Sequence, residues 1–379
     1  MIPAVRLNHI KEYYFSRKLK EVAQLAASGK PIINMGIGSP DLDPPQVVID
    51  ALQKTISQSG VHQYQSYIGI PGLRESIAHF YKRNYEIQLQ VADEILPLMG
   101  SKEGIMHICM AFLNPGDEVL IPNPGYPTYA SVAHLVQAVP RYYELNSNSQ
   151  WLPDLHILAK QNLSKVKLMW LNYPHMPTGA TATMAFYEEV VAFAKAHNII
   201  LINDNPYSFI GTDNPQSLLT VKGAKDVAIE LNSLSKTFNM AGWRVGMAVG
   251  NSALLAAVLK VKSNMDSGMF YGIQQGAIAA LHLGEDWFKS LNAHYEKRRL
   301  RIYELVSKLG CTYEEGAAGL FVWAKLPEGM LAEAFIDELL YDKDIFIAPG
   351  TVFGSQGEGY IRCSLCVSEE QINEAIARL

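Results

Sequence analysis

The chain has no surplus of positive charge, no long apolar run and few cysteines. Its 379 residues carry 32 Lys and Arg against 37 Asp and Glu, a net charge of −5. Binding to nucleic-acid phosphates requires a clear excess of Lys and Arg, and a membrane-spanning helix requires about 20 consecutive apolar residues. Residues 1–20 also lack the apolar stretch of a secretory signal. We therefore expect a cytoplasmic protein that binds neither nucleic acid nor a membrane.

The four cysteines are too few to form a disulfide framework in a chain of this length. Two of them, Cys363 and Cys366, have the C-x-x-C spacing of a metal or redox motif. A structural zinc site usually has four ligands, and no second Cys pair or His cluster lies at a suitable distance in the sequence. Because the pair lies in an apolar, strand-like run, we predict small buried residues there and no metal site.

The middle of the chain alternates apolar, strand-like runs with segments of helical period. The runs most typical of buried strands are residues 93–99, 117–122, 166–172, 199–204, 227–232 and 243–250. The segments of helical period include residues 102–113, 185–198 and 252–262. Continuous apolar strands separated by helices predict a mostly parallel sheet covered on both faces, with ligands bound beyond the carboxyl ends of the strands.

The sequence changes in character after residue 280. Residues 285–310 form one long amphipathic pattern that ends at Gly310, and residues 368–379 predict a terminal helix. We predict a large domain over residues 36–280 and a smaller α+β domain formed by residues 1–35 and 281–379.

Several predicted strands lead into residues that suit a bound ligand. Gly100, Ser101 and Lys102 open a helix, where backbone N–H groups and a hydroxyl suit a phosphate, although such a turn also caps ordinary helices. Prolines stiffen the loop around Tyr126, whose ring either stacks on a flat ligand or packs internally. Asp204 closes an apolar strand, and a carboxylate there is costly without a cation or hydrogen-bond donors.

Residues 233–246, Ser-Leu-Ser-Lys-Thr-Phe-Asn-Met-Ala-Gly-Trp-Arg-Val-Gly, place two cations in a small and apolar run. Lys236 is a candidate for amine chemistry, while Ser233, Ser235 and Arg244 are suited to hold an anion. Together with the strand ends, these residues require a flat ligand that has a phosphate, needs a carboxylate partner and reacts with a lysine. Pyridoxal phosphate meets all four requirements.

The pattern of residues 233–246, together with Gly36-Ile-Gly-Ser-Pro-Asp41, resembles the class I/II aminotransferases, fold type I enzymes that depend on pyridoxal phosphate. The resemblance extends over nearly the whole chain. It implies an α/β fold with a mostly parallel seven-stranded sheet flanked by helices in the large domain, plus the smaller α+β domain. It also implies transfer of an amino group from an L-amino acid to a 2-oxo acid, with pyridoxal phosphate held as a Schiff base on Lys236.

The resemblance also implies roles for single residues around the cofactor. Lys236 moves the proton between Cα and the cofactor, and Asp204 keeps the pyridine nitrogen protonated because an anion raises the pKa of a nearby base. Tyr207 donates to the phenolic oxygen of the ring, and Tyr126 stacks on its face. The residues expected around the phosphate are Gly100, Ser101, Lys102, Ser233, Ser235 and Arg244.

For the substrate, the resemblance assigns the α-carboxylate to Arg362 and to the backbone of Gly38. Strand alternation places Arg362 on one face with Ser364 and Cys366. In this uncharged setting, a carboxylate that accepts two hydrogen bonds is the natural partner of a guanidinium.

Three tyrosines outside these motifs are further candidates. Tyr64 matches a tyrosine that such enzymes lend to the cofactor phosphate of the neighbouring subunit, unless Tyr67 takes that register, and so implies a homodimer with shared active sites. Tyr271 is expected to reach the substrate side chain in the neighbouring subunit. Tyr14 either lines the substrate entrance or packs against the large domain.

One residue departs from the family pattern. Residues 172–179 read Asn-Tyr-Pro-His-Met-Pro-Thr-Gly, so Met176 stands where relatives have the asparagine of Asn-Pro-Thr-Gly, a donor to the ring oxygen. Methionine cannot donate a hydrogen bond. Tyr207 therefore becomes the main donor, unless Asn172 or a water replaces the missing one.

Two other functions are compatible with parts of this pattern. A C–S β-lyase acting on cystathionine- or cysteine-type substrates would use the same lysine, aspartate and arginine, and would differ in expelling a group from Cβ. A transcription regulator with an aminotransferase-like domain would need a DNA-binding module and a basic patch, and the chain begins too close to the catalytic domain for one. We therefore expect an aminotransferase, with an amino acid and a 2-oxo acid as its small-molecule partners.

Overall fold

The structure, a computed structural model, describes residues 3–9 and 14–379. Its helices are α1 (Tyr14–Ala27), α2 (Gln46–Ile56), α3 (Pro71–Tyr85), α4 (Ser101–Phe112), α5 (Thr128–Leu135), α6 (Leu155–Ala159), α7 (Met184–His197), α8 (Leu234–Thr237), α9 (Ser252–Lys262), α10 (Tyr271–Leu281), α11 (Glu285–Lys308), α12 (Ala332–Lys343) and α13 (Glu369–Ala377). None of the helices in these two described ranges is both long and apolar enough to cross a membrane.

The strands are β1 (Ile33–Asn34), β2 (Ile95–Leu98), β3 (Glu118–Asn123), β4 (Val139–Glu144), β5 (Val166–Leu171), β6 (Ile200–Asp204), β7 (Ala228–Ser233), β8 (Gly246–Gly250), β9 (Thr312–Tyr313), β10 (Phe321–Lys325), β11 (Ile345–Phe346), β12 (Ala348–Pro349) and β13 (Tyr360–Ser364). Seven strands of the described chain form one sheet in the order β2-β8-β7-β6-β5-β3-β4. Neighbours pair in parallel except at β8, which runs antiparallel to β2 and β7. This confirms the predicted mostly parallel, seven-stranded sheet.

Helices cover both faces of this sheet because its central strands are apolar on both faces. In β5, Leu168 and Trp170 pack into one core cluster with residues of α4, α5 and α9. Met169 and Leu171 alternate with them and pack into the other cluster, with residues of α3, α7 and α10. Because both faces are filled, the ends of the strands are where side chains can meet a ligand.

Two smaller sheets lie outside the large one. β12, β13, β10 and β9 form an antiparallel sheet in that order, and Arg362 of β13 lies opposite Trp323 of β10. β1 pairs in parallel with β11, which joins the N-terminal segment to the C-terminal part of the chain. The predicted long helix is α11, and it packs against α13.

The parallel neighbours β3, β5, β6 and β7 have their carboxyl ends at one edge of the sheet. Tyr126 follows β3, Asn172 follows β5, Asp204 is the last residue of β6, and Ser233 is the last residue of β7. The topology therefore brings the marked strand ends of the sequence to the same edge.

A buried carboxylate lies in β7, just behind that edge. Glu230 is fully buried and accepts hydrogen bonds from four donors. The donors are Tyr81 Oη at 3.0 Å, Ser217 Oγ at 2.9 Å, Asn203 Nδ2 at 3.1 Å and the Leu218 backbone N–H at 3.2 Å. Burial raises the pKa of Glu230, and the donors oppose this rise. The carboxylate thus ties α3, β6 and the segment around residue 217 to β7.

We expect Glu230→Met to lower the free energy of unfolding by about 3 kcal/mol or more, because four buried donors lose their acceptor. Tyr81→Phe removes only one of these donors and should cost about 1 kcal/mol. Urea denaturation followed by circular dichroism measures both values. A Glu230→Met protein as stable as Tyr81→Phe would contradict this role of the carboxylate.

Candidate active site

A cavity of about 990 Å³ lies at the carboxyl edge of the large sheet. Its lining combines strand ends of this sheet with the loop of residues 36–41, with β13 and with α1. Of the residues predicted for the site, it contains Gly38, Ser101, Lys102, Tyr126, Asn172, Asp204, Tyr207, Ser233, Ser235, Lys236, Arg244 and Arg362. Residues that are far apart in the sequence therefore surround one space.

Asp204, at the end of β6, has one carboxylate oxygen without a partner. Its Oδ2 accepts a hydrogen bond from Tyr129 Oη at 2.8 Å, whereas Oδ1 is buried and unpaired among the described residues. Burial raises the pKa of the Asp204 carboxyl to about 6, and the hydrogen bond from Tyr129 opposes the rise. Because a buried acceptor without a donor is costly, this oxygen suits an N–H donor that a ligand supplies.

Lys236 lies in the one-turn helix α8, directly after β7. Its ammonium group donates to the Gly38 carbonyl at 2.6 Å. Burial lowers the pKa of Lys236, and the positive charges of Arg362 and Arg244 lower it further. A lowered pKa increases the fraction of the neutral amine, which is the form that attacks a carbonyl carbon.

Several hydrogen-bond donors lie around Arg244, in the same cavity as Lys236. Arg244 Nη1 is 3.5 Å from Ser235 Oγ, and Ser101 begins α4, whose first backbone N–H groups have no acceptor within the helix. Gly100, just before this helix, does not line the cavity. Its φ of 89° favours glycine, and a Cβ atom there would overlap the Arg244 guanidinium. The glycine therefore lets a cation approach a helix N-terminus, an arrangement that suits a phosphate.

Two tyrosines line the space between these groups and Arg362. The ring of Tyr126 packs edge-on against Tyr129 with centroids 5.5 Å apart, and that of Tyr207 packs edge-on against Phe321 at 6.0 Å. Burial raises the pKa of both Tyr126 and Tyr207, so both hydroxyls stay protonated at neutral pH and can donate. Tyr129, which orients Asp204, had no predicted role, although it lies in the same proline-rich stretch as Tyr126.

These features fit pyridoxal phosphate. The unpaired oxygen of Asp204 suits a protonated ring nitrogen, the donors around Arg244 suit the phosphate, and the Lys236 amine suits the aldehyde. The three groups line one cavity, so a single molecule can contact all of them.

Arg362, in β13, is buried among neutral groups. Its Nη2 donates to the Gly36 carbonyl at 2.7 Å and its Nη1 contacts Met176 Sδ at 3.4 Å, while its Nε has no hydrogen-bond partner in the part of the chain that the structure describes. The guanidinium carbon lies 4.0 Å from the ring centroid of Phe321 and 4.6 Å from that of Phe353. Burial lowers the pKa of Arg362 to about 10, which leaves it charged at neutral pH. Because none of these contacts is a carboxylate, the side chain suits a carboxylate from a ligand.

Met176 contacts this arginine, and its backbone is held by Asn172. The Met176 N–H donates to Asn172 Oδ1 at 3.0 Å, and Asn172 Nδ2 donates to the Asp204 carbonyl at 2.6 Å. The Asn172 amide therefore links the loop after β5 to the end of β6. One of its two N–H groups remains for a ligand.

The loop that carries Gly36 and Gly38 is held by an ion pair that the sequence analysis did not single out. Arg298 of α11 donates to both oxygens of Asp41, at 2.7 and 2.8 Å, and to the Leu365 carbonyl at 3.0 Å. It thereby joins this loop to the segment that follows β13. In the sequence, the feature that could have indicated this ion pair was the position of Asp41 in the motif of residues 36–41.

The remaining predicted residues lie elsewhere. Tyr64 is 91% exposed, and neither it nor Tyr271, the first residue of α10, lines the cavity. Tyr14 begins α1, and the structure describes its backbone but not its side chain. Cys363 and Cys366 are both buried, which confirms that part of the prediction.

Comparison with known proteins places the chain in a family. Residues 30–379 match the family model described as aminotransferase class I and II. The LL-diaminopimelate aminotransferase of Maridesulfovibrio salexigens is 41% identical over 379 residues, which cover 99% of this chain and 98% of that protein. The structure of substrate-bound BacF from Bacillus subtilis is 37% identical with a TM-score of 0.95, covering 100% of this chain and 97% of that one.

An aminotransferase structure from Staphylococcus aureus is 34% identical with a TM-score of 0.91, covering 99% of this chain and 98% of that one. These likenesses extend over whole chains, so they confirm both the α/β fold and the resemblance found in residues 233–246. The chain belongs to the class I and II aminotransferases.

Proposed function

We propose that Lys236 of this aminotransferase carries the cofactor, and that the enzyme moves an amino group from an L-amino acid to a 2-oxo acid in two half-reactions. Enzymes of this family use pyridoxal phosphate. The proposal rests on the buried, unpaired oxygen of Asp204, which belongs to the same cavity as Lys236 and Arg362.

When bound, pyridoxal phosphate supplies an electron-withdrawing ring that stabilises the negative charge left on Cα after its proton is removed. Asp204 holds the proton on the ring nitrogen, because a carboxylate raises the pKa of a neighbouring base. Tyr207, which is protonated at neutral pH, donates to the ring oxygen in place of the asparagine that Met176 replaces. The amine of Lys236 moves the proton between Cα and the cofactor.

Arg362 binds the α-carboxylate of the amino acid and thereby orients Cα. Lys236 Nζ and Arg362 Nη2 donate to the carbonyls of Gly38 and Gly36, which lie two residues apart in one loop. The same loop therefore fixes the distance between the group that moves the proton and the group that holds the substrate. Such positioning removes much of the entropic barrier to proton transfer.

We also propose a homodimer with shared active sites. Tyr64 extends into solvent, and its segment is held to α9 by a hydrogen bond from Lys262 Nζ to the Tyr67 carbonyl at 2.8 Å. An exposed ring on an anchored segment is suited to reach the cofactor phosphate of a second subunit. Tyr271 stays a candidate for contact with the substrate there.

The proposed division into residues 36–280 and residues 1–35 with 281–379 is supported by two contacts. β1 pairs with β11, and Lys18 of α1 forms an ion pair with Asp337 of α12 at 2.8 Å. The smaller domain carries Arg362 and would close over the bound substrate to exclude water.

The β-lyase alternative is not favoured, because the curated relatives of this chain are aminotransferases. Their names make LL-diaminopimelate a candidate amino donor, to be tested beside other L-amino acids.

We expect the enzyme loaded with pyridoxal phosphate to convert about one equivalent of a suitable L-amino acid to its 2-oxo acid when no acceptor is added. The absorbance of the bound cofactor should shift to that of pyridoxamine phosphate, and an added 2-oxo acid should reverse the shift. Lys236→Ala should slow this half-reaction by about 100-fold or more. Release of ammonia and pyruvate over many turnovers would count against amino transfer.

Asp204→Asn should stabilise the cofactor-free protein at pH 8. Burial raises the pKa of Asp204 from 3.8 to about 6, so the stability that the protonated carboxyl provides is present below pH 3.8 and is lost as the pH rises through 6. We expect the variant to exceed the wild type by about 2 kcal/mol at pH 8, with a smaller difference at pH 5.

Urea denaturation of the cofactor-free proteins at both pH values measures this difference, with Asp213→Asn, an exposed site, as the matched control. Added pyridoxal phosphate should reverse the order, because Asp204→Asn loses the partner of the ring nitrogen. A variant that is no more stable than the wild type at pH 8 would show that the carboxylate is not strained by burial.

A further inference from the structure

Part of the cavity lining has no role in the proposed binding of the cofactor or of the substrate α-carboxylate. It comes from α1 and from the turn at residues 350–353, and includes Phe15, Ser16, Leu19, Lys20, Val352 and Phe353. We refer to Phe15, Leu19, Val352 and Phe353 as the apolar wall. Because the Phe353 ring centroid lies 4.6 Å from the Arg362 guanidinium carbon, the wall begins where the α-carboxylate is held.

Packing behind the apolar wall holds it in place. Phe15 stacks on the buried ring of Phe346 with centroids 6.0 Å apart, and Phe353 packs edge-on against Trp323, also at 6.0 Å. Leu19 and Val352 pack against the main hydrophobic core. These side chains therefore present a fixed apolar surface to the cavity.

The charged groups of the cavity lining already have other roles. Within residues 3–9 and 14–379, the only acidic side chain in this lining is Asp204, which is assigned to the ring nitrogen. Lys20 is exposed and already takes part in another interaction. The cations assigned to the cofactor or to the α-carboxylate are Lys102, Lys236, Arg244 and Arg362.

We infer that the enzyme selects amino acids and 2-oxo acids with large apolar side chains, of the phenylalanine or leucine class, and that the apolar wall binds these side chains. The inference rests on the proposed function. Removal of an apolar side chain from water onto this surface is favourable, whereas a charged group placed there would lose its hydration without gaining a partner. LL-diaminopimelate, whose side chain ends in an ammonium and a carboxylate, is therefore disfavoured.

Binding of unreactive carboxylates tests this inference without a chemical step. Isothermal titration of the pyridoxal-phosphate-loaded enzyme should show that 3-phenylpropanoate binds at least about 10-fold more tightly than glutarate. In the half-reaction, kcat/KM for L-phenylalanine or L-leucine should exceed that for LL-diaminopimelate and L-glutamate by about 100-fold. Equal or tighter binding of glutarate would overturn the inference.

A cation introduced into the leftover part of the cavity should reverse the preference. Leu19→Arg, in the apolar wall, and Ser16→Arg, half-buried beside it, should each lower the binding ratio of 3-phenylpropanoate to glutarate by about 10-fold. Gln24→Arg adds the same charge at an exposed position of α1 outside the cavity and should leave the ratio unchanged.

Ser16→Arg should require less rearrangement of neighbouring side chains than Leu19→Arg. Measuring both variants therefore distinguishes a change in binding from a failure to fold. If both variants fold by circular dichroism and keep the wild-type ratio, the apolar wall does not bind the substrate side chain. If instead no amino acid yields its 2-oxo acid in the half-reaction, the proposed function fails, whatever the binding ratio.

Discussion

The unpaired Oδ1 of Asp204 is the constraint around which the site is organised. Glu230, one strand away, is equally buried, yet it accepts hydrogen bonds from four donors and acts as a structural anchor. Among the described residues, the Asp204 carboxylate receives one hydrogen bond, from Tyr129, and burial raises its pKa to about 6. Both acids belong to the same sheet. They differ in the number of hydrogen-bond donors that the chain supplies, and Oδ1 of Asp204 remains for a donor from a ligand.

The cations divide in the same way, into one that is paired with a carboxylate and others that contact backbone carbonyls. Arg298 and Asp41 satisfy each other with two short hydrogen bonds, and they hold the loop that faces the substrate. Lys236 and Arg362 donate to carbonyls of that loop and keep their charges uncancelled by any carboxylate in those contacts. The ion pair therefore holds the loop in place. Under the proposed function, the charged groups without an opposite charge bind the phosphate, the ring nitrogen and the α-carboxylate.

Sequence patterns predicted most of the large sheet, because buried parallel strands are continuous apolar runs. They missed β4, since this edge strand mixes Arg141 and Glu144 with tyrosines and is partly exposed. Residues predicted from the strand-end motifs make up part of the cavity lining. Tyr129, which also lines the cavity, and Arg298, which holds the loop of residues 36–41, were not predicted. A helical pattern shows which side of α5 or α11 is buried, and it does not show which carboxylate a buried polar group meets. The contact that we propose for Tyr64 is with a second subunit.

The protonation state of the ring nitrogen is the most direct test of the central claim. We would bind pyridoxal phosphate labelled with ¹⁵N in the ring and measure the nitrogen chemical shift from pH 6 to 9. If Asp204 pairs with this nitrogen, the shift should be that of a protonated pyridine at pH 8, and Asp204→Asn should move it to the unprotonated value. An unprotonated nitrogen in the wild type, with the same shift in the variant, would contradict the role assigned to Asp204.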